Sequence, residues 1–471
     1  MARQLTDLLL GPAVEIAEAV SGGAVSATEV LELHLERIAE VNPRLNAIVT
    51  LCEPEARAAA LETDERLARG ETGRPLEGVP FTVKDVIATA GVRSTAGSLL
   101  LRDFVPARDA TAVARLKKAG AVLVGKANCP ELALDPHTDN RLFGATLNPL
   151  DDAVSPGGSS GGDAVAVAAG CAGFGLGTDY GGSIRWPAQC NGVAGLRPTV
   201  GLIPLTGGLP FPPGEEWPAP SSVALLSRLQ TFGPLARSVR DLWAVLRAVA
   251  GPDGIDPNTV PVPLGDPDAV DLRSLSCAWT DGEGTLPVRD DLIRVVERAA
   301  ACLEELGLTV EERRPPGLDE AVETFREYRL GDGLPVHAAL ARGREDELAE
   351  TMSSWFATVR AAMTVEEYQA VAARRDAIRA RVLEFMEQRP ILLLPVSLTP
   401  AWKVGTADFA QRFQTLAPCW SITLLGFPSV AVTCGHTDDG LPAGVQVVAR
   451  PFRDHEAVAV ALALEEALRD G

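Results

Sequence analysis

Two glycine-rich segments constrain this chain more than any other feature: Ser155-Pro-Gly-Gly-Ser-Ser-Gly-Gly162 and Gly177-Thr-Asp-Tyr-Gly-Gly-Ser-Ile-Arg185. Each surrounds a serine with residues that have little or no side chain. Ser159 and Ser183 stand 24 residues apart, and Lys84, in Gly78-Val-Pro-Phe-Thr-Val-Lys-Asp85, stands 75 residues before the first of them. Flanking glycines let backbone N–H groups approach an oxyanion with no Cβ in the way. Two serines and a lysine can supply a nucleophile, a proton relay and a base. The combination points to acyl transfer.

Bulk properties narrow the classes further. By length alone, 471 residues allow two or three domains, although large α/β enzymes exceed the usual domain size. The hydrophobic fraction of 46% is enough for a sizeable core, so the chain does not read as disordered. A net charge of −20 disfavours direct nucleic-acid binding and anionic membrane surfaces, which reward clustered Lys and Arg. No apolar stretch approaches the roughly 20 residues needed to span a bilayer. The short run Leu8-Leu-Leu10 gives way to Gly-Pro and acidic residues, which is not the pattern of a signal peptide. Eight cysteines form no Cys-x-x-Cys pair, and five histidines lie far apart, so no zinc-ligand spacing occurs. The expectation is a reduced, cytoplasmic protein without metal or cofactor.

Local patterns place the motifs. Ser26-Ala-Thr-Glu29 has capping-box form and opens a helix that Asn42-Pro43 is expected to end. A second helix is read over Glu53–Gly70. From Val79, short apolar runs (Phe81–Val83, Ala121–Val124) alternate with helical segments such as Ala110–Ala119, which predicts a parallel or mixed sheet with helices on both faces. A small-residue helix is read over Ala164–Ala172, packed beneath the serine segments. Asp290–Leu306 and Val365–Met386 read as long helices, and Ile391–Pro395 and Ser429–Val432 as buried strands. Gly251–Asp271, rich in Pro, Asp and Gly, resembles a linker, but apolar runs resume on both sides.

The two serine segments with Lys84-Asp85 resemble the signature of the amidase signature family, serine hydrolases with a Ser–cisSer–Lys triad. Asn46-Ala47, Gly91–Ser98, Gly120–Asn128, Pro130-Glu131, Gly195–Thr199, Gly233–Val239 and Gly440–Gln446 resemble further landmarks, in family order along nearly the whole chain. The resemblance implies one large α/β domain over residues 1–471, with a central twisted mixed β-sheet. Its signature core would span roughly 75–250 and its variable, substrate-lining region roughly 325–420. It also implies Ser183 as nucleophile, Ser159 as relay with a cis Gly158–Ser159 bond, and Lys84 as base. Tyr180, Gly181 and Gly182 would supply the oxyanion hole. Ser160 adjoins Ser159, and sequence does not separate the two; the family motif selects Ser159 and leaves Ser160 to order the loop.

Lys84 must be neutral to accept a proton, and burial among Val79, Phe81 and Val83 would lower its pKa. Asp85 is expected to point away from it. Asp179 and Arg185 read as a pair that orders the loop, although Arg185 has the chemistry to bind a substrate carboxylate. His137, Asp139 and Trp186 are candidate substrate contacts. Tyr180 stands where family members often carry a small or aliphatic residue, Trp186 is unusually large, and Asn191 replaces a common cysteine. Thr206–Pro220 (with its flank, roughly 206–226) resembles an insertion, either a surface loop or a lid. Aromatic residues of the variable region (Phe325, Tyr328, Trp355, Phe356, Tyr368, Trp402) read either as core or as an aromatic-leaning acyl pocket.

Three functions of different kinds follow. The first is hydrolysis of a small-molecule linear amide through a serine acyl-enzyme, with a homodimer expected from relatives. The second is the glutamine-hydrolysing A subunit of a tRNA-dependent amidotransferase complex, marked by partner-dependent glutaminase activity. The third is a catalytically silent scaffold, which would not react with a fluorophosphonate and has no need of Lys84, Ser159 and Ser183 together.

Overall fold

The computed structural model describes residues 8–210 and 228–468, apart from 283, 285, 332, 360 and 361. Short, continuously apolar runs bounded by glycine and proline suit strands buried on both faces. Here they form β1 (Ile48–Leu51), β2 (Pro80–Lys84), β3 (Val122–Ala127), β4 (Phe174–Asp179), β5 (Ala194–Arg197) and β6 (Thr231–Ala236). They continue as β7 (Ser276–Trp279), β8 (Thr309–Glu312), β9 (Ile391–Pro395), β10 (Ser429–His436) and β11 (Pro442–Ala449). Among the described residues all eleven join one mixed sheet in the order β1-β3-β2-β4-β6-β5-β10-β11-β9-β7-β8. Every residue of β2, β3, β4, β6, β9 and β11 is buried. Helices pack on both faces, among them Gly161–Ala168 against β2, β3, β4 and β6, and Asp290–Glu305 against β8 to β11.

The linker-like stretch 251–271 divides nothing. β6 before it and β7 after it belong to the same sheet, so the chain is a single large α/β domain. Residues 211–227, which carry most of the proline- and glycine-rich insertion read as a surface loop or lid, lie outside the described residues.

Two helix boundaries differ from the sequence reading. The capping box at Ser26 is present: Glu29 N donates to Ser26 Oγ at 3.1 Å, and Ser26 N to Glu29 Oε2 at 2.8 Å. The helix then runs through Pro43 to Leu45 and closes on Asn46 in the left-handed region (φ 50°). Its last turn survives the proline because Asn46 N still reaches Asn42 O at 2.8 Å. The helix read over Ala164–Ala172 instead covers Gly161–Ala168 and so begins inside the glycine pair. A Cβ on Gly162 would stand 2.4 Å from the backbone of Asn128, and only glycine permits that approach. Packing against the chain after β3, rather than helix propensity, sets this start.

His34 sits fully buried on the inner face of helix Ala27–Leu45, with Nδ1 2.8 Å from Val30 O. Burial pushes its pKa down from 6.5 to about 4. The folded state therefore binds fewer protons than the unfolded chain between those values, and stability falls as pH drops through them. Buried carboxyls with raised pKa act in the opposite sense, so the difference between wild type and His34→Gln isolates the histidine. Relative to that variant, wild type should lose about 3 kcal/mol between pH 7 and pH 4. Urea unfolding at both pH values measures this; a pH-independent difference would contradict a neutral buried imidazole.

Candidate active site

Parallel strands β2 and β4 pair in register, with Val83 opposite Leu176, so their carboxyl ends emerge side by side. Crevices in open α/β sheets form outside such ends. Lys84 is the last residue of β2 and Asp179 the last of β4. Ser159 lies in the turn that enters helix Gly161–Ala168, and Ser183 in the turn between β4 and helix Arg185–Asn191. The strand ends and these two turns thus bring Lys84, Ser159 and Ser183 together from three separate segments.

Lys84 is fully buried, with Nζ 2.7 Å from Ser159 Oγ and 2.8 Å from Thr178 Oγ1. Burial lowers the lysine pKa, opposed by the nearby Asp163 and Asp179. Asp163, on the helix beneath, accepts from Thr82 Oγ1 at 2.8 Å, and burial raises its own pKa, which weakens its hold on the proton of Lys84. Asp85 turns to the 95–97 loop, where Thr95 N donates to it at 3.0 Å. The Gly158–Ser159 peptide is cis. Ser183 is half-buried and lines the same cavity as Ser159 and Thr178. Its carbonyl accepts from Ser160 N at 3.1 Å, and Ser160 Oγ lies 3.3 Å from both Thr178 N and Thr178 O. Ser160 thus ties the two serine turns and β4 to one another.

Asp179 organises the nucleophile turn. Its carboxylate accepts from Arg185 Nη2 at 2.9 Å, Arg185 Nε at 3.1 Å, Gly182 N at 2.9 Å and Ile184 N at 3.1 Å, and lies 3.6 Å from Arg197 Nε. Burial alone would raise the Asp179 pKa, but Arg185, Arg197 and the Gly182 amide outweigh it and hold it well below the usual carboxylate range. Arg185 also donates to Gln446 Oε1 at 2.6 Å and Thr423 Oγ1 at 2.9 Å. It is fully buried and absent from the cavity lining, so it serves the loop rather than a substrate. Breaking a buried ion pair leaves an uncompensated charge, so Asp179→Asn should lower stability by about 3–5 kcal/mol. Denaturant unfolding checks this, and a loss below about 1 kcal/mol, the scale of an exposed pair, would contradict it.

Several residues singled out in the sequence stand elsewhere. The Gly182 amide, read as an oxyanion donor, instead donates to Asp179 Oδ1 at 2.9 Å. Trp186 is fully buried: its indole N–H donates to Pro136 O at 2.9 Å and its ring stacks on Trp402 at 5.0 Å. His137 Nδ1 lies 2.9 Å from Ser155 Oγ, and burial lowers its pKa to about 4. Asp139 is exposed. None of Trp186, His137 and Asp139 lines the cavity.

The cavity wall holds residues that sequence reasoning missed. Thr178, within the segment that carries Ser183, lies 2.8 Å from the lysine amine; its place in Gly177–Arg185 was the available signal. Arg329, His337, Phe413 and Leu416 reach the cavity from the variable region, where no motif marks them. The aromatic residues read there stand mostly behind the wall. Phe325 stacks between Tyr180 (5.2 Å) and Trp420 (5.6 Å) and is fully buried.

Known proteins share this architecture. A family model described as Amidase matches residues 29–458. The chain is similar to the A subunit of glutamyl-tRNA(Gln) amidotransferase from Heliobacterium modesticaldum, with 33% identity covering 94% of each chain. It is also similar to indoleacetamide hydrolase of Bradyrhizobium diazoefficiens, with 35% identity covering 96% of this chain and 86% of that one. Among solved structures, 6-aminohexanoate cyclic dimer hydrolase superimposes with a TM-score of 0.85 at 27% identity, covering 98% of this chain and 97% of that one.

Proposed function

Because this chain belongs to the amidase signature family, we propose that it hydrolyses the carboxylic amide of a small molecule through an acyl-enzyme on Ser183. The observation that carries this reading is the 2.7 Å approach of the buried Lys84 amine to Ser159, on the cavity that Ser183 also lines. In this mechanism neutral Lys84 draws the Ser159 proton as Ser159 takes that of Ser183, and Ser183 Oγ bonds to the amide carbon. The backbone amides of Tyr180 and Gly181, on the same wall, face the developing oxyanion. The proton then returns through Ser159 to the leaving nitrogen as the C–N bond breaks. Water adds to the resulting ester by the reverse relay and releases the acid. Val86, Leu132, Leu209, Phe232 and Leu416 give the cavity apolar walls, which suit a carbon-rich acyl or amine group and support the small-molecule reading.

A second reading, glutamine hydrolysis as the A subunit of an amidotransferase, is favoured by the relatives of that name. One experiment separates the two. Intact-protein mass spectrometry with a fluorophosphonate on wild type and Ser183→Ala tests the nucleophile, with a single adduct expected on wild type only. An amide panel then includes L-glutamine, with and without the other amidotransferase subunits. Turnover of small amides by the isolated chain supports the first reading; glutamine turnover only with those subunits overturns it. No adduct on wild type, either alone or with those subunits present, would overturn both.

A further inference from the structure

Helix Leu318–Gly331 brings Arg329 to the wall of the cavity that Ser159 and Ser183 line. The side chain is half-buried, and its guanidinium carbon lies 4.1 Å from the Trp355 ring centroid and 4.6 Å from that of Phe413. Among the described residues no carboxylate lies within 4 Å of this guanidinium, in contrast to the buried Arg185 and Arg66, which are both paired. Asp135 is the acid on the same wall, and it is already engaged. It accepts from the His137 amide at 2.9 Å and from Thr351 Oγ1 at 3.2 Å, and pairs with Arg412 at 3.0 Å. Asp135 is held in contact by Arg412 and acts on Arg329 only from longer range, so among the described residues Arg329 has no carboxylate in contact as it faces the cavity.

Physical chemistry gives that charge a use. Ring faces compensate a guanidinium in part, which holds it in place but leaves its N–H donors to be satisfied. A carboxylate satisfies them two at a time in a bidentate geometry, and apolar neighbours such as Leu416 and Val336 strengthen that attraction by excluding water. Burial lowers the Arg329 pKa to about 10, so the group stays cationic at neutral pH.

We propose that Arg329 is a specificity-determining residue that binds a carboxylate of the substrate, so that the preferred amides carry an acid group apart from the scissile carbonyl. The inference rests on the reading of Ser183 as nucleophile, and it adds the substrate class: half-amides of dicarboxylic acids, or amides of amino acids with a free acid.

The test works with synthetic probes in place of the natural substrate. Alkyl fluorophosphonates of several chain lengths are prepared in pairs, one ending in a carboxylate and the other in its methyl ester, and the rate of Ser183 labelling is followed by mass spectrometry. Wild type should react at least about 10-fold faster with the best carboxylate probe than with its ester. Arg329→Met and Arg329→Gln should bring that ratio to about one, and Arg329→Lys should restore part of it by keeping the charge. Equal rates on wild type at every length, or a ratio that persists in both neutral variants, would overturn the proposal and leave the Ser183 assignment standing. Labelling of wild type by neither member of any pair would overturn both. Should the neutral variants fail to fold, the wild-type ratio and its weakening in Arg329→Lys decide the matter.

Discussion

Ser183→Ala should reduce amide hydrolysis by about 10⁴-fold or more while leaving thermal stability nearly unchanged. The hydroxyl removed lies on a half-buried residue facing the cavity, so its loss opens no hole in the core. The contact through which residue 183 helps to hold the serine turns, Ser160 N to Ser183 O, belongs to the backbone and survives the substitution. Activity and stability are therefore expected to separate. Turnover assays on the purified variant, with its melting temperature, check both halves. Near-normal turnover would remove Ser183 from the nucleophile role, whereas a large fall in melting temperature would make the lost activity uninformative.

Lys84→Met carries the second large effect. Methionine retains the length and apolar stem of lysine but cannot accept a proton. General-base contributions of this kind are about 10²–10⁴-fold. The pH profile is the sharper readout. Burial lowers the lysine pKa from its ordinary 10.5, and the neutral amine is the active form. The rate on wild type should therefore rise with pH and level off below 10.5, and Lys84→Met should lose that rise along with most of the rate. A variant that stayed slow but kept the same pH dependence would move the base elsewhere, and Asp163 would be the first group to examine.

That Lys84, Ser159 and Ser183 would gather at one cavity was legible through the resemblance of their three segments to the family signature. Glycine-serine runs also occur in linkers, and a lysine in a strand is ordinarily solvated. It was the resemblance of three segments in order that implied a buried lysine beside the serines, and Lys84 is buried. The strands were legible from their own residues: runs such as Phe81–Val83 and Ile391–Pro395 are apolar throughout, and a sheet buried on both faces needs that. Helix boundaries were less so. Pro43 did not stop its helix, because Asn46 N still reaches Asn42 O, and Gly161 started one three residues early, because the close approach of Gly162 to the Asn128 backbone outweighed local preference.

The substrate-facing residues were the least legible. Trp186 and His137 lie near the serine segments, yet the helix that carries the one and the loop that carries the other direct both into packing, against Trp402 and Ser155. Arg329 and Phe413 lie 146 and 230 residues beyond Ser183, in a region without motifs, and still reach its cavity. Gly182 was read as an oxyanion donor because its small size suited that role; the carboxylate of Asp179, brought beneath it by the turn, takes its amide.

By itself, then, the sequence determined the family, the candidate site residues and the sheet. The residues proposed as nucleophile, relay and base stand in short, compositionally unusual segments, and the doubly covered sheet is encoded in continuous apolar runs. The tertiary structure alone decided which amide Asp179 engages, which buried charges are paired, and which residues, Arg329 among them, line the cavity. Those properties depend on what stands within a few ångströms across the fold, and distance along the chain carries no record of it.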